Sequence, residues 1–317
     1  MRQLVAEEGA LRVDEKTDKA SEEPTVELGF ADRAKAYFAL TKPRIIELLL
    51  VTTVPPMIVA EKGVPSLWLI FFTLLGGALA AGGAGAINCY VDRDIDQLMT
   101  RTRKRPLPQH KVEPRNAVIF GTILGVISFG LLWTTVNLIS AWLTIGAMLF
   151  YVFVYTIGMK RSTPQNIVIG GAAGAVPAIV GWTAVTGTVE LPALALFAII
   201  FYWTPPHFWA LSLRYEKEYA AAGVPMMPVV YGREETSKHI LLYSFMLLAM
   251  CLAFFSVGRM GFIYLGSAVV LNAMFIWYAV KLYRKPQPRV AWGMFKFSIY
   301  YLALLFASMA ADQLITL

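Results

Sequence analysis

The sequence predicts an all-α fold, in which nine transmembrane helices form a polytopic membrane protein. Of the 317 residues, 57% are hydrophobic and only 15% are charged, and the mean hydropathy is +0.58. Soluble domains of this length carry more charge than this. Nine apolar runs are also each long enough to cross a bilayer of about 30 Å, which takes roughly 20 residues of helix.

The nine predicted spans follow one another closely, and the two longest loops between them cover residues 93–115 and 214–238. The spans are residues 38–60, 66–89, 116–138, 141–159, 166–186, 191–213, 239–257, 262–282 and 293–315. Residues 1–36 carry scattered charges and no apolar run, so we expect a disordered tail and no cleavable signal peptide. Residues 37–317 are predicted to form the membrane domain.

Basic residues divide unevenly between the two membrane faces, and this sets the predicted orientation. Both long loops and nearly all the loop Lys and Arg residues fall on one face, whereas only Lys62 and Arg259 fall on the other. Because Lys and Arg concentrate in cytoplasmic loops, the N-terminus is predicted to be cytoplasmic and the C-terminus extracytoplasmic.

The end of the second span combines an amide with two carboxylates. Asn88, Asp92 and Asp96 are spaced four residues apart. On an α-helix each such step leaves the direction of the side chain changed by only about 40°, so the three share one face, and Asp94 points elsewhere. Oxygen ligands at this spacing suit a hard cation such as Mg²⁺, which is often bound by protein carboxylates and substrate phosphates together.

Ionisable residues in or beside the spans gather at the predicted cytoplasmic face, and such residues are functional candidates by default. They include Lys42, Arg44, Arg101, Arg105, Lys160, Arg161, His207, Arg214, Glu216 and Glu218. Carboxylates beside Lys and Arg are what metal-assisted diphosphate binding needs, because the bases neutralise charge on the departing diphosphate. Taken alone, the basic run from Arg101 to Arg105 also fits an ordinary loop beside anionic lipid.

Two further features have both a structural and a functional interpretation. A lone intramembrane histidine such as His207 is more often a hydrogen-bonded packing residue than a ligand, although Pro205 and Pro206 indicate a bent helix beside it. Aromatic residues of the spans, among them Tyr151, Tyr155 and Trp209, could shield a carbocation with their ring faces or could simply pack.

Four stretches, taken together, resemble the UbiA-type intramembrane prenyltransferases. The first runs from Asn88 through Asp92 and Asp96 to Arg101-Thr-Arg-Lys-Arg105-Pro. The other three are Thr41-Lys42-Pro43-Arg44, then Tyr155 to Gly171 with Lys160-Arg161, and Trp203-Thr-Pro-Pro-His207-Phe-Trp-Ala with Ala222-Gly-Val-Pro-Met-Met-Pro228. These three narrow the resemblance, which covers residues 35–315, to the haem-farnesylating members of the family.

The resemblance implies a bundle whose lipid-facing cavity is capped by the two long loops. It implies farnesyl diphosphate as donor, haem b as acceptor, Mg²⁺ as cofactor and haem O, destined for haem-copper oxidases, as product. By position, Asn88, Asp92 and Asp96 would hold Mg²⁺ and act in catalysis with Lys160 and Arg161. The other implied contacts are Lys42, Arg44, Arg101 and Arg105 with diphosphate, and His207 and Trp209 with haem.

The sequence departs from the family pattern after the sixth span. An Asp is expected before Tyr219, but the chain has Glu216-Lys217-Glu218 there. Glu218 is the positional match and is predicted as a further metal ligand, with Glu216 left open as the alternative.

Localisation and partners follow from the same resemblance. We expect an integral protein of the bacterial plasma membrane that contacts lipid, farnesyl diphosphate and haem b, and no nucleic acid. Haem A synthase and oxidase assembly proteins are the candidate protein partners.

Two other functions stay open from the sequence. An aromatic or quinone-precursor acceptor would use the same acidic motif. A membrane transporter could use the acids and bases as an ion path, although transporter sites usually lie near the membrane midplane.

Overall fold

The computed structural model describes residues 28–315, apart from the side chains of residues 44–50. Every regular element in this range is helical. The elements are α1 (Phe30–Leu40), α2 (Pro43–Glu61), α3 (Leu67–Val91), α4 (Arg93–Leu98), α5 (Pro114–Thr135), α6 (Leu138–Leu149, continued as a π-helix over Phe150–Met159), α7 (Asn166–Thr186), α8 (Leu191–Arg214), α9 (Glu216–Ala221), α10 (Met227–Val257), α11 (Phe262–Arg284) and α12 (Pro288–Ile315).

Within the described residues, eight helices are long and apolar enough to cross a membrane, and the predicted all-α membrane fold is confirmed. They are α3, α5, α6 with its π-helical continuation, α7, α8, α10, α11 and α12, which match the second to ninth predicted spans. The first predicted span, residues 38–60, falls largely on α2, where some side chains are outside the description. The count of nine therefore stays a prediction.

The N-terminal boundary differs from the one predicted at residue 37. Helix α1 already begins at Phe30 and buries Ala36 and Leu40 against Cys89 and Ala117. Most of its other residues are exposed, and Asp32, Arg33 and Lys35 interrupt its apolar residues, so the helix has no continuous hydrophobic run. The predicted disorder of residues 1–27 falls outside the described part of the chain.

Helix α7 lies at the centre of the bundle, in contact with α2, α3, α6 and α8. On one side of it α3 packs closely on α5, and on the other α8 packs on α10 and α12. Small residues allow this closeness, since a Cβ placed on Gly83 of α3 would lie 2.5 Å from the carbonyl oxygen of Gly121 in α5. The glycines before the acidic motif therefore include one that serves helix packing, as such residues commonly do in membranes.

The second half of α6 is a π-helix, in which hydrogen bonds join residues five apart. The backbone N–H of Lys160 donates to the carbonyl of Tyr155 at 2.8 Å, and the Thr156 hydroxyl donates to the carbonyl of Tyr151 at 2.9 Å. A wider turn changes which side chains share a face. Tyr151, Tyr155 and Lys160 all lie against the same central cavity.

Gly83→Ala tests the close contact between α3 and α5. The added methyl group must push the two backbones apart, and we expect a loss of about 1–3 kcal/mol of stability, as for other overpacked sites. Thermal unfolding of the detergent-solubilised protein measures this. The control is Gly146→Ala, because nothing lies within 4 Å of a Cβ there and alanine favours a helix over glycine by about 1 kcal/mol. An unchanged melting temperature for the Gly83 variant would contradict the packing described.

Candidate active site

A cavity of about 370 Å³ lies between α2, α3, α6, α7 and α8. Its deep part is apolar and is lined by residues such as Leu74, Gly77, Val176 and Val180. Its mouth carries charged and polar side chains, namely Lys42, Asn88, Asp96, Arg101, Arg105 and Lys160. From Asn88 to Leu74 the cavity follows α3 for about 21 Å at 1.5 Å per residue. This shape suits a molecule with an anionic head and a long apolar tail.

Asn88 is held at the cavity mouth from two sides. The Lys42 ammonium donates to its side-chain oxygen, and its amide nitrogen donates to the Thr156 hydroxyl at 3.1 Å. Lys42 stands between α1 and α2 with φ of 55°, a left-handed conformation uncommon for any residue except glycine. This conformation leaves the Lys42 ammonium in the cavity lining, beside Asn88.

Asp92 ends α3 and is fully buried. The Lys160 ammonium donates to its Oδ2, whereas its Oδ1 has no hydrogen-bond partner and lies 3.9 Å from a guanidinium nitrogen of Arg161. A buried carboxylate oxygen without a partner is costly and rare. It can accept a ligand without first losing a bond within the protein.

Asp96 is paired with the loop that follows it. Arg105 donates from one nitrogen to both carboxylate oxygens, at 2.9 and 2.7 Å, and the Thr102 hydroxyl donates to the Asp96 carbonyl at 3.0 Å. These bonds fold the basic loop back over the end of α3. Arg105 is thereby held at the cavity rather than in solvent.

Asp94 and Arg161 lie outside this buried group. The Asp94 side chain is 61% exposed and accepts two hydrogen bonds from Arg161, at 2.7 and 2.6 Å. This guanidinium lowers the pKa of Asp94 to about 2. Asn88, Asp92 and Asp96 are at most 2% exposed, so the shared face that their spacing predicts is the buried one, with Asp94 directed away from it. The same face presents three oxygen-bearing groups, each held by a base from another part of the chain.

Glu218 lies in α9, and its carboxylate is hydrogen-bonded to Thr100. Its two oxygens accept hydrogen bonds from the backbone N–H and the hydroxyl of Thr100, at 3.1 and 2.7 Å. Glu216 is paired with Arg233 at 2.6 Å. Neither carboxylate is among the groups that line the cavity, whereas the neighbouring Tyr219 is.

Comparison with known proteins decides the family. The model of the UbiA prenyltransferase family matches residues 49–305. A protein named protoheme IX farnesyltransferase from Parafrankia sp. (strain EAN1pec) is 54% identical, over 90% of this chain and 92% of its own.

The chain belongs to the UbiA prenyltransferase family.

Solved structures agree with this at the level of the fold. A structure described as digeranylgeranylglyceryl phosphate synthase has a TM-score of 0.76 at 17% identity, covering 90% of this chain and all of its own. A UbiA homologue from Archaeoglobus fulgidus, solved with DMAPP and Mg²⁺, has a TM-score of 0.61 at 18% identity, covering 86% of this chain and 98% of its own. The helical bundle therefore has the UbiA fold.

The two residues predicted to contact haem, His207 and Trp209, lie outside the cavity lining of this UbiA protein. His207 approaches the Ser298 hydroxyl through Nδ1 at 2.7 Å and stacks on Trp203, with ring centroids 4.3 Å apart. Trp209 is 1% exposed and packs on Tyr243. Neither lines the cavity, to which α8 presents Trp203 and Phe208, among other residues.

Several residues of this UbiA site were not singled out from the sequence. Thr156 holds Asn88, and Thr100 and Tyr219 join the two loops. The sequence gives no signal for these contacts, because each one spans more than 60 residues of chain. Arg44 lies in the first turn of α2, but its side chain is outside the description.

The donor set fits a divalent metal ion. Within the described residues, no three His, Cys, Asp or Glu side chains are already grouped as a metal site. Asn88 and Asp96 nevertheless present oxygen atoms at the cavity mouth, and Asp92, which is buried outside the lining, has an Oδ1 without a partner. Hard cations prefer such ligands. The residues therefore fit Mg²⁺ or a similar ion.

Lys160→Met tests the buried pair with Asp92. The variant leaves a buried carboxylate without its cation, a change that typically costs about 3–5 kcal/mol. We expect a large fall in the melting temperature of the metal-free protein, measured in detergent. Asp92→Asn together with Lys160→Met should recover most of the loss, because neither charge then remains. If the double variant is as unstable as Lys160→Met, the pair does not have this role.

Proposed function

We propose that the protein transfers the farnesyl group of farnesyl diphosphate to a vinyl group of haem b, releasing diphosphate and giving haem O. The observation that carries this proposal is the cavity, which joins a cationic mouth to a deep apolar interior. The 54% sequence identity of the chain to a protein named protoheme IX farnesyltransferase supports the choice of substrates.

The donor would lie with its diphosphate at the mouth and its chain in the apolar part. Lys42, Arg101, Arg105 and Lys160 line that mouth, and Arg44 and Arg161 are proposed to assist them. Arginine offers a planar fork that matches phosphate oxygens, and lysine offers a mobile point charge. These bases would exchange their bonds to Asn88, Asp92 and Asp96 for bonds to the substrate.

Asn88, Asp92 and Asp96 are proposed to hold Mg²⁺, with the unpartnered oxygen of Asp92 as the first ligand. The homologue from A. fulgidus solved with DMAPP and Mg²⁺ supports this choice of metal. When bound, the ion would neutralise charge on the diphosphate and so favour its departure. The sequence also predicts Glu218 as a fourth ligand, whereas its carboxylate accepts two hydrogen bonds from Thr100.

The reaction would begin when the bond between the allylic carbon and the diphosphate oxygen breaks. Diphosphate leaves with the electron pair, and the bases at the cavity mouth stabilise its charge. The rings of Tyr151 and Tyr155 lie 5.2 Å apart in the cavity wall, where their faces can stabilise the allylic cation. The π-electrons of the haem vinyl group then form the new carbon–carbon bond. Water adds to the resulting haem-side cation and loses a proton, which gives the hydroxyethylfarnesyl group.

The acceptor would enter beside α8. Trp203 and Phe208 line the cavity there, and flat aromatic rings suit a porphyrin face. The predicted haem contacts of His207 and Trp209 would require side-chain movement, because His207 is stacked on Trp203 and Trp209 is buried elsewhere.

The cavity mouth would face the cytoplasm. The chain is an integral membrane protein, and its basic loops adjoin that mouth. We propose the bacterial plasma membrane as its location, with the N-terminus cytoplasmic and the C-terminus outside, and haem A synthase or oxidase assembly proteins as partners.

The direct test is incubation of the purified, folded protein with haem b, farnesyl diphosphate and Mg²⁺. Haem O, detected by mass spectrometry, is the expected product and should be absent when Mg²⁺ is chelated. Prenylation of an aromatic quinone precursor in its place would show that the acceptor is wrong. No product with either acceptor would contradict the proposed reaction.

Asp92→Ala and Asp96→Ala should each abolish haem O formation, because both remove a metal ligand and free a base at the cavity mouth. Product is measured per folded protein, after size-exclusion chromatography has shown normal insertion and assembly. The matched control is Asp94→Asn, in the same motif but directed outward, which should retain most of the activity. Near-normal turnover by the Asp92 or Asp96 variant would remove that residue from the proposed metal site.

A further inference from the structure

We infer that Glu218 is a positioning residue, which fastens the loop after α4 to α9 and so holds Arg101 over the cavity mouth. A metal-ligand role for Glu218 is the alternative that its place in the sequence indicates. The role of Arg101 towards diphosphate rests on the proposed function, whereas the contact between loop and helix does not.

The Glu218 carboxylate has a specific partner. Thr100 donates from its backbone N–H to one oxygen at 3.1 Å and from its hydroxyl to the other at 2.7 Å. Two donors from one residue meet both oxygens of one carboxylate. Hydrogen bonds to a charged acceptor are stronger than neutral ones, so this contact ties two segments that are 118 residues apart.

The next residue on each side makes a second contact. Arg101 donates to the Tyr219 hydroxyl at 2.6 Å, and its guanidinium carbon lies 5.3 Å from the centre of the Tyr219 ring and 5.6 Å from that of Tyr215. Tyr219 is only 6% exposed. Thr100-Arg101 and Glu218-Tyr219 thus join as two consecutive pairs.

The two pairs have different positions relative to the cavity. Arg101 and Tyr219 line it, whereas Thr100 and Glu218 stand outside the lining. The outer pair therefore fixes the backbone beside Arg101, and the inner pair sets where its charge lies.

Glu218 also contrasts with Asp92. Oδ1 of Asp92 is buried and without a partner, whereas both oxygens of Glu218 are engaged. A cation that took Glu218 as a ligand would have to release Thr100, and with it the position of Arg101. Asp92, in contrast, offers one oxygen that no hydrogen bond occupies.

The first experiment measures the loop contact without metal or substrate. Trypsin is added to the solubilised protein in a chelator, and cleavage after the exposed residues Arg103 and Lys104 is followed by mass spectrometry. Glu218→Gln places an amide N–H opposite a donor of Thr100, and Thr100→Val removes the hydroxyl. We expect either change to speed cleavage about tenfold, as for loss of a charged hydrogen bond that limits local opening.

Three further variants make this result specific. The double variant should be cleaved no faster than Glu218→Gln alone, because both changes break one contact. Thr100→Ser keeps the hydroxyl and should stay slow. Glu216→Gln disrupts the neighbouring pair with Arg233 and should also stay slow. Equal cleavage of wild type, Glu218→Gln and Thr100→Val would overturn the inference, as would acceleration by Glu216→Gln of the same size.

The second experiment separates positioning from metal binding. If Glu218 positions Arg101, Glu218→Gln and Thr100→Val should both raise KM for farnesyl diphosphate several-fold, with the Mg²⁺ concentration for half-maximal activity unchanged. A raised Mg²⁺ requirement in Glu218→Gln alone would make Glu218 a metal ligand and overturn the inference. If wild type forms no haem O, the proposed function fails, and the cleavage experiment still decides the contact.

Discussion

Buried carboxylates at the end of α3 require partners, and this requirement organises the site. Asp92 is fully buried and Asp96 nearly so, and an unpaired charge in such a place would cost several kcal/mol, or about 3–5 when one partner of a pair is lost. Lys160, at the end of α6, pairs with Asp92, and Arg105, in the loop after α4, pairs with Asp96. Lys42 adds a third basic side chain, which contacts Asn88. The charges at this one helix end thereby bring together its own loop and two segments that are 46 and 68 residues away in the chain.

The same pairs make the site ready for an anion. In the absence of substrate, Lys160 and Arg105 neutralise the carboxylates. The same two basic side chains could neutralise a bound diphosphate. A cation that takes their place on the carboxylates would release them towards the substrate, so the two halves of the site exchange partners. Beyond this polar layer the cavity lining is mainly apolar, which suits the region where the prenyl chain would lie.

The sequence predicts the parts of this design that depend on local spacing or on hydropathy. The apolar runs locate eight of the spans, and the four-residue spacing of Asn88, Asp92 and Asp96 predicts their shared buried face. The sequence does not predict the π-helix over Phe150–Met159, because its apolar residues fit an α-helix equally well. Nor does it predict that Glu218 meets Thr100, since a contact across 118 residues leaves no trace in local pattern.

The most direct measurement of this account is an experimental structure with a non-reactive thio-analogue of farnesyl diphosphate and Mn²⁺ in place of Mg²⁺. The account predicts anomalous scattering from Mn²⁺ bonded to Asp92, with Lys160 and Arg105 moved from the carboxylates to the diphosphate and the farnesyl chain running towards Leu74. Diphosphate bound away from this mouth, or Lys160 and Arg105 still paired with the carboxylates beside a bound analogue, would contradict it.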